Sequence, residues 1–220
     1  MNMYSDRLSC FTFPPVYRTS LMRLSRSLPI NGSLAAPTRP VYGSHRWLKN
    51  VCNMSYESRA LANAILDLAD QLRIKLTHMA VHKIIYHAHG WRLAETGLPL
   101  VSEPFEAWEH GPVLPSLYGA LKQAGKQPVT GRAMRFNPAT GVRSVAHADV
   151  PPEDRVFLRN MLRTYGPIHA FDLSDMTHRQ GGPWDSVWNA KGGKINLGMR
   201  ISNDSIRADF LGAGGAVGYT

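Results

Sequence analysis

KLTHMAVHKIIYHAHGWRLAETGLPLVSEPFEAWEHGPVLPSLYGAL, residues 75–121, decides the fold. Thr77 is a helix N-cap, because its hydroxyl accepts a backbone N–H left free in the first turn. Val81, Ile84, Ile85, Ala88 and Trp91 then recur at helical spacing and share one inward face. Gly97 and Pro99 end the helix, Gly as a left-handed cap and Pro as a residue that cannot continue it. Beside the apolar face runs a second stripe, His78, His82, Tyr86 and His89, read as a polar edge facing solvent or a partner. Phe105–Trp108 has room for a short strand, and Glu109-His110-Gly111-Pro112 turns the chain. Pro112 and Pro115 bracket the start of a further helix that ends near Gly125.

Working outward, residues 57–73 predict a helix with Leu61, Ile65, Leu68, Ala69 and Leu72 inward. Between Lys126 and Val150, Ala133–Phe136 and Val142–Val145 pair as a hairpin across Asn137–Gly141. Pro152-Glu153-Asp154 opens a helix with Val156, Phe157, Met161 and Leu162 inward, stopped by Gly166-Pro167. A shorter helix carries Ala170, Leu173 and Met176. Gly181-Gly182-Pro183-Trp184 is a turn that delivers an indole. Ser202 caps a last helix, in which Ile206 and Phe210 pack. The fold class is therefore mainly α: a compact helical domain of five or six helices with a minor β-hairpin or short strands.

That domain is expected over residues 54–211, followed by a flexible Gly-rich tail, 212–220. Residues 1–53 show neither helical nor alternating patterning and are rich in Ser, Arg and Pro. They read as a start taken too early, with Met54 as the natural beginning, as a disordered basic extension, or as an organelle transit peptide. The chain has 220 residues, 44% of them apolar, with a formal charge of +9. Seven basic residues against Asp6 alone place six of those nine charges in residues 1–53. A nucleic-acid partner inferred from the overall charge thus rests on that segment, and none is expected for the domain. Cys10 and Cys52 both precede the domain, which excludes a disulfide framework or cysteine metal site within it and suits a reducing cytoplasm. No run approaches the ~18 consecutive apolar residues of a membrane span.

His78, His82 and His89 on one helix invite a metal reading, since His pairs at i, i+4 can share an ion. The site needs a third convergent ligand, for which Asp175 and His178 are the candidates, and no HExxH motif is present. Glu106, Glu109 and His110 with Asp175 and His178 form a candidate acid–base set. No nucleophile elbow, phosphate-binding glycine loop or paired carboxylates accompany them, so no catalytic residue is assigned. Trp91 and Trp184 lean towards core, whereas Trp108 is balanced between core and interface.

Residues 86–125, YHAHGWRLAETGLPLVSEPFEAWEHGPVLPSLYGALKQAG, and a second block, Tyr165-Gly166 with LSDMTHRQGGPW from Leu173 to Trp184, resemble the Panacea domain, the SocA-like antitoxin family. The resemblance runs from about Ala60 to Leu211 and is specific through its combination of motifs: GW after a Tyr-rich helix, EAWxxGPVxPSxY, and TH…GGPW. Trp91, Gly111, Pro112, Gly182, Pro183 and Trp184 are its structural motif residues. Family members commonly carry Gln where this chain has His82 and His89. The resemblance implies a mostly helical, cytoplasmic antitoxin of a toxin–antitoxin system, without cofactor, metal or enzymatic activity. It neutralises a toxin encoded by an adjacent gene through direct protein–protein interaction. The expected partner-binding residues are Tyr86, Trp108, Glu109, His110 and Tyr118. The alternatives are a metal-dependent hydrolase built on the His stripe and a nucleic-acid binder using the basic N-terminal tail.

Overall fold

The computed structural model describes residues 55–190 and 198–215; the basic segment 1–53 and the end of the Gly-rich tail, from 216, lie outside them. The described residues form seven α-helices: α1 (Ser58–Gln71), α2 (His78–Thr96), α3 (Pro115–Leu121), α4 (Pro152–Tyr165), α5 (Ala170–Asp175), α6 (Pro183–Ala190) and α7 (Asn203–Gly215). A single 3-10 turn, Lys122–Ala124, extends α3. Five short strands are β1 (Phe105–Trp108), β2 (Gly111–Val113), β3 (Met134–Phe136), β4 (Arg143–Val145) and β5 (Arg200–Ile201). The first, second and fifth make an antiparallel sheet in the order β2-β1-β5, and β3 and β4 form a separate hairpin. The protein is mainly α with minor sheet, as the sequence pattern requires.

The helix α2 is the axis of the fold. Thr77 caps it by accepting the Ala80 N–H at 3.2 Å, and Gly97 closes it at φ 75°. Around it stand α1, α3, α4, α5, α7 and β2. Every residue from Ala80 to Leu93 is buried, so the helix has no solvent face along that span. The His82–Tyr86–His89 stripe, expected at a polar edge, is therefore inside. A helix walled on every side buries whatever it carries, and hydrogen bonding meets the cost of many of its polar groups, although the buried His82 Nε2 has no hydrogen-bond partner among the described residues. Arg92 pairs with Asp154 at 2.8 Å, and the same carboxylate oxygen accepts the Tyr56 hydroxyl at 2.5 Å. The Trp91 indole donates to the Tyr165 hydroxyl at 2.8 Å, and the His87 ring stacks flat on Tyr165, 4.6 Å between centroids. Gly90 is where α7 crosses: a Cβ there would sit 2.3 Å from the Phe210 ring, so only glycine admits this approach.

Three details differ from the sequence reading. The GGPW segment is not a bare turn but the start of α6. Gly181, at φ 71°, donates its N–H to the Asp185 carboxylate at 2.9 Å, and Pro183 occupies the first turn, where its missing N–H costs nothing. On α4, Met161 and Leu162 are inward as expected and Phe157 packs partly against the core, but Val156 is 44% exposed, and Leu158 and Tyr165 complete the buried face. The last helix also runs past Leu211, to Gly215.

The hairpin is where expected. Met134 pairs with Val145, Arg135 with Ser144 and Phe136 with Arg143. Its base is fixed by buried Asn63 of α1. That side chain donates to the carbonyls of Ala133 and Ala146 at 2.9 and 2.7 Å, and accepts the Ala133 N–H at 2.8 Å. The amide takes the place of a ladder rung and ties the hairpin to the helical body.

Candidate functional site

The turn between β1 and β2 is tighter than the sequence suggests. Trp108 pairs with Gly111, leaving Glu109-His110 as a two-residue connection, and Gly111 already belongs to a strand. Gly111 lies at φ 92°, a conformation that suits glycine. A Cβ on it would meet Thr177 Oγ1 at 2.4 Å and Lys83 Nζ at 2.5 Å. The turn is gripped from beneath by three donors on three helices or their flanks. Lys83 Nζ of α2 donates to the Pro112 carbonyl at 3.1 Å. Ser174 Oγ of α5 donates to the His110 carbonyl at 2.8 Å. Trp184 Nε1 of α6 donates to the Trp108 carbonyl at 2.8 Å. The Trp184 ring is itself braced, stacked with Trp188 at 5.5 Å and tilted against His178 at 3.9 Å. The two separated motifs thus meet: GGPW supplies the indole that holds the EAWEHGP turn.

What this scaffold presents is an aromatic pair. The Trp108 and Tyr118 rings are 5.0 Å apart, edge to face, and both are half-buried. Trp108 Nε1 donates to Glu106 at 3.0 Å, which fixes the indole plane. His78 adds a third ring, 5.9 Å from Tyr118. Glu109 and His110 are exposed beside them. Four of the five expected binding residues are therefore at or near the surface of one turn-and-helix unit. Tyr86 is not among them: at 3% exposure it packs against Phe105 and Phe210, so it belongs to the core.

The histidines are held neutral. His82 accepts the Leu114 N–H on Nδ1 at 3.4 Å, and burial, helped by Lys83 and His78 nearby, pulls its pKa down to about 3. Burial also takes His87 to about 3, with Lys83 adding to the shift and the Leu173 carbonyl opposing it. His89 sits between the Val101 N–H at 3.3 Å and Asn203 Oδ1 at 3.0 Å, and burial lowers it to about 4 despite the Asn203 bond. Burial pushes the Lys83 ammonium down to about 7. Among the described residues no group of three or more His, Cys, Asp or Glu is placed to hold a metal ion. The candidate acid–base set is only partly brought together: Asp175 and His110 lie near enough to His178 to act on it electrostatically. Glu106 holds an indole, Glu109 and His110 point outward, and His178 leans on Trp184 with its pKa lowered mainly by burial. Between Tyr86, His87, Thr177, Arg179 and Asp209 lies a cavity of about 10 Å³, room for about one water molecule.

Lys83 escaped the sequence reading, and Ser174 and Thr177 entered it only inside the LSDMTHRQGGPW block without a role, although all three lie under the turn. One signal was present. Lys83, His87 and Gly90 repeat at i, i+4, i+7, a third helix face, and a mid-helix glycine on such a face marks close packing by another element.

The family model described as Antitoxin SocA-like, Panacea domain, matches residues 81–185, which span α2, the gripped turn and the start of α6. Antitoxin SocA of Caulobacter vibrioides (strain NA1000 / CB15N) is 35% identical over 159 residues, covering 71% of this chain and 83% of that protein. This chain belongs to the SocA-like antitoxin, Panacea-domain family. No solved structure matches it. No helix among the described residues is long and apolar enough to cross a membrane.

Proposed function

We propose that this protein is an antitoxin that neutralises a partner toxin by binding it directly, with the Trp108–Tyr118 pair as the anchor and Glu109 and His110 as the polar rim. Family membership and the relative named Antitoxin SocA support the antitoxin role. The observation that carries the binding reading is the grip on the turn: three helices each commit a side-chain donor to hold one two-residue connection. A rigid loop displaying half-exposed aromatic rings loses little freedom on association, which is the general advantage of preorganisation. Tyr and Trp are also the residues that dominate interface energetics. The turn is held through its backbone carbonyls, which fixes its shape and suits association.

The toxin is expected from the gene adjacent to this one, acting in the cytoplasm. Co-expression should restore growth, and the two proteins should co-purify. Trp108→Ala and Tyr118→Ala should weaken rescue strongly, whereas Arg163→Ala, at an exposed position on α4, should not. Each variant is first checked for folding by circular dichroism and melting. Neutralisation should survive in the His82→Gln, His89→Gln double variant, because buried imidazoles contribute packing and hydrogen bonds here. Complete loss of activity in that folded double variant, with the partner still bound, would replace binding by a chemical role for these histidines.

A further inference from the structure

The β3–β4 hairpin shares no residue with the Trp108–Tyr118 site, and its composition is at odds with its position. Met134, Phe136, Val142 and Val145 are each 43–57% exposed, four of the seven large apolar side chains exposed among the described residues. Met134, Val145 and Phe136 share one face with Arg143, because cross-strand partners point the same way. From Lys126 to Ala148 the chain holds Lys126, Arg132, Arg135 and Arg143 and no acid. Arg132 is neutralised by Asp67 and Asp70, but Arg135 and Arg143 make no ion pair with the described residues.

The backbone adds a second, independent feature. Ala146 donates to Ala133 at 3.0 Å and Asn137 to Val142 at 2.9 Å, so the hydrogen-bonded pairs alternate through Arg135 and Ser144. Met134, Phe136, Arg143 and Val145 therefore turn their N–H and C=O groups outward. On β3 the Met134 carbonyl already accepts from Arg59 at 3.5 Å. The outer edge of β4 is open. An open strand edge, flanked by apolar side chains and an unpaired cation, is the arrangement by which an extended peptide adds to a sheet.

We propose that this hairpin is a second docking site, which takes an extended acidic and apolar segment of a partner protein as a third strand along β4, with a carboxylate opposite Arg143. Charge selects the occupant. A second copy of this chain would bring another acid-free hairpin, and residues 1–53 carry six of the nine net positive charges, so both are repelled. A phosphate backbone would meet the arginines but leave Phe136 and Val145 uncovered.

The test uses the full chain and a short fluorescein-labelled peptide of alternating glutamate and valine, read by anisotropy against salt concentration. The peptide should bind, and binding should weaken as salt rises. Arg143→Glu should weaken it by about tenfold or more, since attraction becomes repulsion at one contact. Val145→Pro should weaken it as well, by removing an outward N–H while leaving the ladder rungs intact. Both variants should melt as the unaltered chain does. The proposal is overturned if the glutamate peptide fails to bind, if a lysine–valine peptide binds equally well, if Arg143→Glu is without effect, or if single-stranded DNA binds the hairpin in preference to the peptide. None of these readouts involves the toxin or Trp108, so failure here leaves the rescue experiment above to be judged by itself.

Discussion

The central helix α2 and the β3–β4 hairpin invert the usual relation between polarity and burial in opposite directions. From Ala80 to Leu93, α2 buries three histidines, a lysine and an arginine. The hairpin leaves Met134, Phe136, Val142 and Val145 in solvent. The difference lies in neighbours. Six elements surround α2, whereas the hairpin touches the body chiefly through its base at Asn63. Burial is decided by topology, and the side chains then have to be reconciled with it. Inside, each polar group costs free energy unless a partner is supplied, so the result is one specific arrangement. Outside, apolar groups cost little in the free protein and become useful when a partner covers them.

The sharpest way to break this contrast is acid. His82, His87 and His89 have folded-state pKa values of about 3, 3 and 4, against 6.5 for the unfolded chain. In that window the unfolded state binds more protons, so the stability these groups allow is present above pH 6.5 and lost as pH falls towards 4. The melting temperature should drop steeply over that range, and the His82→Gln, His89→Gln variant should flatten the slope. A profile that is flat from pH 6.5 to 4 would place these rings in contact with water. On the alkaline side, Lys83 is held near 7 instead of 10.5, so it adds stability as pH rises through that interval.

The next largest effect is Trp91→Ala. The side chain is 1% exposed, meets Phe210 edge to face at 5.1 Å and donates to Tyr165. Its loss should cost about 3–5 kcal/mol in chemical denaturation, as for other buried large aromatics. The smallest effect belongs to the other region. Phe136→Ser should change stability by no more than about 0.5 kcal/mol, as for surface positions generally. A larger drop would mean that the hairpin packs against something more than its base.

Much of this was legible in the residues. Local rules placed both ends of α2, the position of the hairpin, the β1 strand and the Ser202 cap, because each depends on a few adjacent residues. What local rules missed depended on counting neighbours. A periodicity argument assigns one inward face to a helix and leaves the rest to solvent, so it put His82 and His89 outside and overlooked Lys83. Tyr86 was expected at the binding surface for the same reason. The half-exposed aromatic pair was within reach of sequence reasoning, because a short segment between Gly and Pro positions announces Trp108. The grip on it was not, since Ser174 and Trp184 lie 64 and 76 residues from the carbonyls they hold.

The crossing of α7 over Gly90 has a kinetic consequence. Phe210 closes over a glycine 120 positions earlier, and β5 completes the sheet from almost as far. Contacts of such long range are slow to form, because loop closure is paid for before they reward it. During synthesis α2 emerges well before its last cover: Lys83 and His87 meet Pro112 and Tyr165 first, and the close approach at Gly90 stays open until Phe210 arrives. The nascent chain passes through an interval in which the apolar surface around Gly90 and Trp91 is exposed to chaperones and proteases.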